Sequence, residues 1–404
     1  MERTILIADK LPDTAIERLS SLGRPVLNRP ELTDDALVDA IKTENPSIII
    51  VRSTKVTKEI IDAAKDLSLI VRAGAGYNTI DVESASAKSI YVANCPGKNA
   101  VAVAELAMGL ILSIDRRIPD NVAELRASAW NKKEYSKADG ILGKTLAVIG
   151  TGRIGQEVVR RAQAFGMKVI GWSRSLTPEK AESLGIGYRE TPEKAAADAD
   201  IVTVHLALTD DTKKFIGTDF FNAMKEGSVF INTSRSAIVD EDSLLKALNT
   251  KNIKAGLDVF DGEPAAKQGE FSTPLASHPS VYGTHHIGAS TNQAQNAVAD
   301  ETVRIIEEFF SSGHVPNCVN VMEKTPARYM VSVRHRDTVG VLADILRVIR
   351  DHGINIEKME NIIFAGASGA CANIQIDDAL TPEQLAELAA SSKDIYEAVM
   401  NEIE

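Results

Sequence analysis

The sequence predicts an α/β protein of two doubly wound parallel sheets, followed by a small α+β unit. Three observations predict it. Short apolar runs alternate with helical patterns along most of the chain. At Thr145 the alternation restarts with an apolar strand running into Gly150-Thr151-Gly152-Arg153-Ile154-Gly155. Beyond Pro316 a shorter series begins, in which strands outnumber helices. At 404 residues the chain exceeds what one core organises, so two or three domains are expected.

In order, Thr4 to Ala8 reads as a strand and Thr14 to Leu22 as a helix entered through Pro12-Asp13. Ser47 to Val51 and Leu69 to Arg72 are apolar runs of strand length, as buried parallel strands require. Ala100 to Arg116 is helical and small or apolar nearly all round, so it is expected to be buried. Thr145 to Ile149 is a strand, Ile154 to Phe165 a helix and Lys168 to Trp172 the next strand. Ile201 to His205, Val229 to Asn232 and Lys254 to Asp258 continue the series, which is the Rossmann-like pattern. The helix from about Asn292 to Phe310 stops at Ser311-Ser312-Gly313, and Val315 to Lys324 reads as a linker. The last unit reads strand Tyr329 to Val333, helix Gly340 to Asp351, strands Ile354 to Asn361 and Ala370 to Ile376, and helix Pro382 to Ala390.

Composition narrows the function. A net charge of −11 argues against a general nucleic-acid binder, though not against a local basic pocket for an anionic metabolite. The three cysteines, Cys95, Cys318 and Cys371, are widely spaced and form no metal-ligand pattern, so no metal and a reducing cytoplasm are expected. The N-terminus reads as strand and loop and not as a signal peptide, and no apolar stretch is long enough to span a bilayer.

The glycine series sits between a strand and a helix, with a second strand at βαβ distance, so it predicts a dinucleotide site. Gly150, Gly152 and Gly155, with Arg153 and Ile154, form the turn and the helix N-terminus that receive a pyrophosphate. An acid for the adenosine ribose is expected at the end of the second strand, yet the residues there are Trp172-Ser173-Arg174. Without that carboxylate, Ser173 and Arg174 suit a 2′-phosphate, so NAD and NADP both remain open as cofactors.

Further segments complete a resemblance. They include Val71-Arg72-Ala73-Gly74-Ala75-Gly76, Asn99 with Ala104-Glu105-Leu106, Val204-His205-Leu206 and Asn232-Thr233-Ser234-Arg235. Leu257-Asp258-Val259-Phe260 with Glu263-Pro264, and His286-Ile287-Gly288-Ala289-Ser290, follow in order. The chain resembles the D-isomer-specific 2-hydroxyacid dehydrogenases, most closely the branch that oxidises 3-phosphoglycerate for serine synthesis. The resemblance implies a catalytic set of Arg235, Glu263 and His286. Histidine suits proton transfer from the substrate hydroxyl, a carboxylate on its far nitrogen stabilises the imidazolium, and an arginine grips the substrate carboxylate. It also places His205, Thr233 and Asp258 at the cofactor, with Asp258 meeting the nicotinamide amide. Ala75 and Gly76 are implied to present N–H groups to the substrate, and Arg52, Arg72, Lys98 and Asn99 to meet its distal phosphate. Where His285 stands, the family commonly has proline. Reductases of hydroxypyruvate or glyoxylate are the alternative enzyme. A cofactor-sensing, non-catalytic protein on the same fold is the alternative of another class.

The same resemblance implies a substrate-binding domain at residues 1–98 and 287–320, split by a nucleotide-binding domain at 99–286. From about residue 326 to 404 the chain resembles an ACT domain, a βαββαβ module, through His335-Arg336-Asp337-Thr338-Val339-Gly340 and Gly353-Ile354-Asn355-Ile356. His335, Asp337 and Asn355 fall at positions implied to bind an L-serine effector, and Asp337 departs from the asparagine often found there. The implied partners are a small phosphorylated 2-hydroxy acid and copies of the chain in a homodimer or homotetramer.

Overall fold

Runs such as Ile48-Ile49-Ile50-Val51 have apolar side chains on both faces, so they are stable only as interior strands with helices above and below. The computed structural model describes residues 3–264, 268–322 and 324–403. It divides into two compact units, residues 1–320 and 321–404.

In the first unit β1 (Ile5–Ile7), β2 (Val26–Asn28), β3 (Ile48–Val51), β4 (Leu69–Arg72) and β5 (Tyr91–Asn94) form a parallel sheet of order β2-β1-β3-β4-β5. Ile5, Ile7, Ile50 and Val71 pack on one side against Val303, Ile306 and Phe309 of the helix Asn292–Ser312. Leu6, Ile49 and Ile70 pack on the other, against Leu37 and Ile41 of the helix Asp34–Glu44. That helix 292–312 ends at Gly313, whose φ of 75° gives the left-handed cap glycine tolerates.

A second parallel sheet contains β6 (Thr145–Ile149), β7 (Lys168–Trp172), β8 (Gly187–Tyr188), β9 (Ile201–Val204), β10 (Val229–Asn232), β11 (Lys254–Leu257) and β12 (Val281–Gly283). Its order is β12-β11-β10-β9-β6-β7-β8. The winding reverses between β6 and β9, which opens a crevice beyond their carboxyl ends, where ligands bind in such sheets. The helix Ala100–Arg116 buries Ala104, Ala107, Met108 and Ile111 in the same core as Val158, Val159 and Ala162 of the helix Arg153–Ala164.

The expected linker begins later than the composition predicts. Val319 donates its N–H to the Val92 carbonyl (2.8 Å), and Asn320 accepts from the Val92 N–H (2.8 Å) and donates to the Ile90 carbonyl (2.8 Å). Residues up to 320 therefore close the free edge of β5.

The second unit is a four-stranded antiparallel sheet of β13 (Tyr329–Arg336), β14 (Ile356–Ile363), β15 (Gly369–Ile376) and β16 (Ile395–Glu402), in the order β14-β15-β13-β16. Val331, Val333, Ala372 and Ile374 share a core with Ile345 and Ile349 of the helix Val341–Asp351 and Leu388 of the helix Pro382–Ala390. β16 completes the βαββαβ order. Among the described residues no helix is long and apolar enough to cross a membrane.

Candidate active site

The carboxyl ends of β6, β9 and β10 and the loop after β4 surround a cleft of about 420 Å³. Each strand end delivers one part of it. After β6, Gly150 takes a φ of 100°, and a Cβ there would lie 2.5 Å from the His205 carbonyl oxygen. At Gly155 a Cβ would lie 2.1 Å from the Gly150 carbonyl oxygen, so only glycine lets helix and turn meet. At Gly152 a Cβ would meet open space, on the rim of the cleft. The turn thus has the shape, and the helix the free N–H groups, that hold a pyrophosphate.

Among the buried polar atoms that lie at the cleft without a partner among the described residues are Nδ1 of His205 and Oγ1 of Thr233. His205 Nε2 lies 2.9 Å from Thr203 Oγ1. Burial pushes the imidazole down to about 3, so it is neutral. An unpaired buried donor or acceptor is costly, and these two fit the polar groups of a bound dinucleotide.

Arg235 follows β10. Its Nη1 donates to the Ser234 carbonyl (2.7 Å), and the guanidinium lies against Gly76. Burial lowers its pKa, and the charge of Glu263 works in the opposite direction. His286 stands in the loop after β12, with Nδ1 2.8 Å from Glu263 Oε2. Burial acts to raise the Glu263 pKa, but the His286 hydrogen bond, the Phe260 N–H (2.8 Å) and the Arg235 charge together hold it below the usual carboxylate range. His286 has φ 51°, a left-handed conformation that a non-glycine residue rarely adopts.

Asp258 holds that loop. Its Oδ1 accepts from the Thr284 hydroxyl (2.6 Å) and the Ile287 N–H (2.8 Å), and its Oδ2 from the Gly288 N–H (2.8 Å). The His286 N–H donates to the Asp258 carbonyl (2.8 Å). The residue expected at the nicotinamide amide lines the cleft, yet its carboxylate is engaged in fixing the histidine loop.

Arg72 ends β4, lines the cleft and lies across the backbone of Gly74. Burial and the charges of Arg235 and Arg52 bring its guanidinium down to about 10, and its Nε has no partner among the described residues. Ala75, Gly76 and Asn99 also line the cleft, and Asn99 Oδ1 is buried without a partner among the described residues. Arg52 sits in a loop whose N–H groups, at Arg52, Ser53 and Thr54, donate to the carboxylate of Asp9.

Other expected residues lie outside the cleft or are engaged with protein partners. Lys98 pairs with Glu301 (3.1 Å) on the helix 292–312 and is not among the residues that line the cleft. Arg153 is at the cleft, but its guanidinium reaches across to the Pro96 carbonyl. Ser173 meets Thr151 (2.9 Å), hydroxyl to hydroxyl, and Arg174 pairs at the surface with Asp211 (3.5 Å). In the second unit His335 is only 1% exposed. Its Nδ1–H donates to the Arg336 carbonyl (2.8 Å), and Nε2 lies 3.1 Å from the Asn361 amide oxygen. Asp337 and Asn355 are exposed, and the Asn355 amide donates to Glu357 (2.7 Å). Tyr77, Asn78 and Thr209 also line the cleft, outside the segments that carry the resemblance. Their signal in the sequence was position, since each follows within a few residues of a buried strand.

Comparison with known proteins agrees with this geometry. Residues 108–288 match the NAD binding domain of the D-isomer specific 2-hydroxyacid dehydrogenases. Residues 329–360 match the ACT domain. A D-3-phosphoglycerate dehydrogenase of Methanocaldococcus jannaschii is 39% identical over 365 residues, 90% of this chain and 67% of that protein. A hydroxypyruvate reductase of Thermotoga maritima is 39% identical over 303 residues, 74% of this chain and 96% of that one. Among solved structures, an NADPH-dependent glyoxylate/hydroxypyruvate reductase from Sinorhizobium meliloti, in complex with NADP and malonate, is similar with a TM-score of 0.69. The two are 31% identical, over 79% of this chain and 97% of the other. The chain is therefore a nicotinamide-dependent oxidoreductase belonging to the D-isomer specific 2-hydroxyacid dehydrogenase family, and it carries an ACT domain.

Proposed function

We propose that the enzyme oxidises 3-phosphoglycerate to 3-phosphohydroxypyruvate, the entry to serine synthesis. The observation that carries this reading is the grouping of Arg72 with Arg235 in one cleft, with Arg52 close enough to act on Arg72. Half-buried cations that repel one another favour anions between them, and a carboxylate and a phosphate on one small molecule supply both.

When bound, the nicotinamide would supply the acceptor for the hydride that leaves the substrate's C2. The chain does the rest. Arg235 grips the carboxylate and polarises the forming carbonyl, helped by the N–H groups of Ala75 and Gly76. Because Glu263 occupies Nδ1 of His286, Nε2 is left to take the hydroxyl proton. Glu263 fixes that tautomer and stabilises the imidazolium. Arg72 and Asn99 meet the phosphate.

Reduction of hydroxypyruvate or glyoxylate is the second reading. It is favoured by the equal identity to a hydroxypyruvate reductase and by the missing acid at the end of β7. The same strand end keeps NADP beside NAD as cofactor. The ACT domain supports the biosynthetic reading, with L-serine as the ligand sensed near His335, Asp337 and Asn355. The test is kcat/KM for 3-phosphoglycerate, hydroxypyruvate and glyoxylate with each cofactor. Preference for the phosphorylated acid, lost in Arg72→Gln, supports the first reading. Equal rates on unphosphorylated acids in both proteins overturn it.

A further inference from the structure

The acid absent from the end of β7 has a counterpart on the turn that follows cleft-lining Thr209 after β9. We propose that Asp211 sets cofactor choice by competing with a 2′-phosphate for Arg174. This rests on the reading that Arg174 flanks the adenosine ribose.

Ser173 Oγ lies 2.9 Å from Thr151 Oγ1, so the residue that leaves β7 touches the glycine turn. Arg174 comes next, with its side chain 72% exposed, and its Nη1 is 3.5 Å from Oδ2 of Asp211, itself 82% exposed. Asp211 is not on a slack loop. It belongs to the turn Asp210–Thr212, directly after Thr209, which lines the cleft. The Thr209 N–H donates to Thr212 Oγ1 (2.7 Å), and that hydroxyl donates to the Ala207 carbonyl (2.7 Å). The neighbouring acid, Asp210, is taken by Lys213 (2.6 Å). Asp211 is therefore the carboxylate that this turn presents to Arg174.

The consequence is electrostatic. An exposed carboxylate is a weak partner for an arginine, and a phosphate dianion is a stronger one. A 2′-phosphate at Arg174 must displace Asp211 and then bear its repulsion. A ribose hydroxyl carries no charge and meets neither penalty. Asp211 thus restores, from the β9 side, part of the discrimination that the end of β7 lacks.

The test is direct binding of NADPH and NADH to the full chain, by calorimetry and by quenching of tryptophan fluorescence, at low and high ionic strength. Asp211→Asn should tighten NADPH about two- to fivefold at low salt and leave NADH unchanged. The difference should shrink as salt rises, which a change of shape alone would not produce. Arg174→Gln should weaken NADPH selectively. If Arg174→Gln does so and Asp211→Asn affects neither cofactor, or both alike, the role of Asp211 is overturned and Arg174 keeps its place. If Arg174→Gln leaves both cofactors unchanged, the placement of Arg174 is overturned, and the proposal falls with it.

Discussion

The guanidinium of Arg235 occupies the space in which a side chain at Gly76 would begin: a Cβ there would lie 2.4 Å from Nη2. Gly76→Ala should therefore leave the fold intact, because the far end of an arginine moves at little cost, yet displace the group assigned to the substrate carboxylate. KM for the 2-hydroxy acid should rise about tenfold or more, with cofactor binding unchanged. Steady-state kinetics alongside calorimetry of the cofactor measure the two separately. An unchanged KM would remove Arg235 from substrate binding.

His286→Ala should lower kcat by about 10²–10⁴-fold while the dissociation constant of the cofactor stays near that of the parent. The ring is assigned to proton transfer and does not hold the dinucleotide. A near-normal rate in this variant would shift attention to His285.

Glu263→Gln should move the acidic limb of the alcohol-oxidation profile to lower pH. A carboxylate beside a base favours its charged form, and an amide does so less. Glu263 is ionised over the working range, since its own pKa is held down by His286, Phe260 and Arg235 against the effect of burial. The measurement is kcat/KM against pH for both proteins. A superimposable profile would mean that the 2.8 Å contact does not tune the reaction.

Glu301 offers a prediction about stability. Arg304 (2.6 Å), Lys98 (3.1 Å) and Asn317 (2.7 Å) surround its carboxylate and, against its burial, bring its pKa to about 2 from 4.5. A depressed folded-state pKa contributes stability that is fully present above the unfolded value. That contribution is lost as pH falls from about 4.5 through about 2. Glu301→Gln should cost about 2 kcal/mol at neutral pH and almost nothing near the acid end of that window. Urea unfolding at several pH values compares the two curves, and a constant difference between them would contradict the assignment.

Deleting residues 326–404 should leave hydride transfer intact, because every residue assigned to chemistry precedes them. Any serine response of the whole enzyme should disappear, since an effector acts only by binding two states unequally and its proposed site goes with the deleted unit. Titrating both forms with serine in the oxidation direction decides it. A truncated enzyme that still responds would place the effector elsewhere.

Interior strands were legible because a four-residue apolar run has few other uses. The run at β3 and the glycine turn after β6 announce themselves. β16 was not legible from the residues, since Ile395–Glu402 mixes exposed and half-buried positions as an edge strand does. The composition of residues 315–320 suggests a linker, and only the partners offered by β5 make it part of the first sheet. At the site, residue types are readable and side-chain partners are not. Lys98 is implied to meet the phosphate, and in the structure it pairs with Glu301, about two hundred positions away. Asp258 is implied to meet the nicotinamide amide and lines the cleft, while the donors to its carboxylate lie in the loop at 284–288. Long-range pairing of this kind is decided by packing, which no local spacing encodes.

The helix Asn292–Ser312 that covers one face of the first sheet also has a kinetic meaning. β5 ends at Asn94, so nearly two hundred residues separate the sheet from the helix that completes it. At ribosomal speed that interval lasts about 10–40 s. Throughout it, Ile5, Ile7, Ile50 and Val71 have only the short helix Asp13–Ser20 on their side. The first strands to be made are thus among the last to be sealed. During synthesis this protein is most exposed to aggregation at its amino-terminal sheet, where chaperone binding should be concentrated.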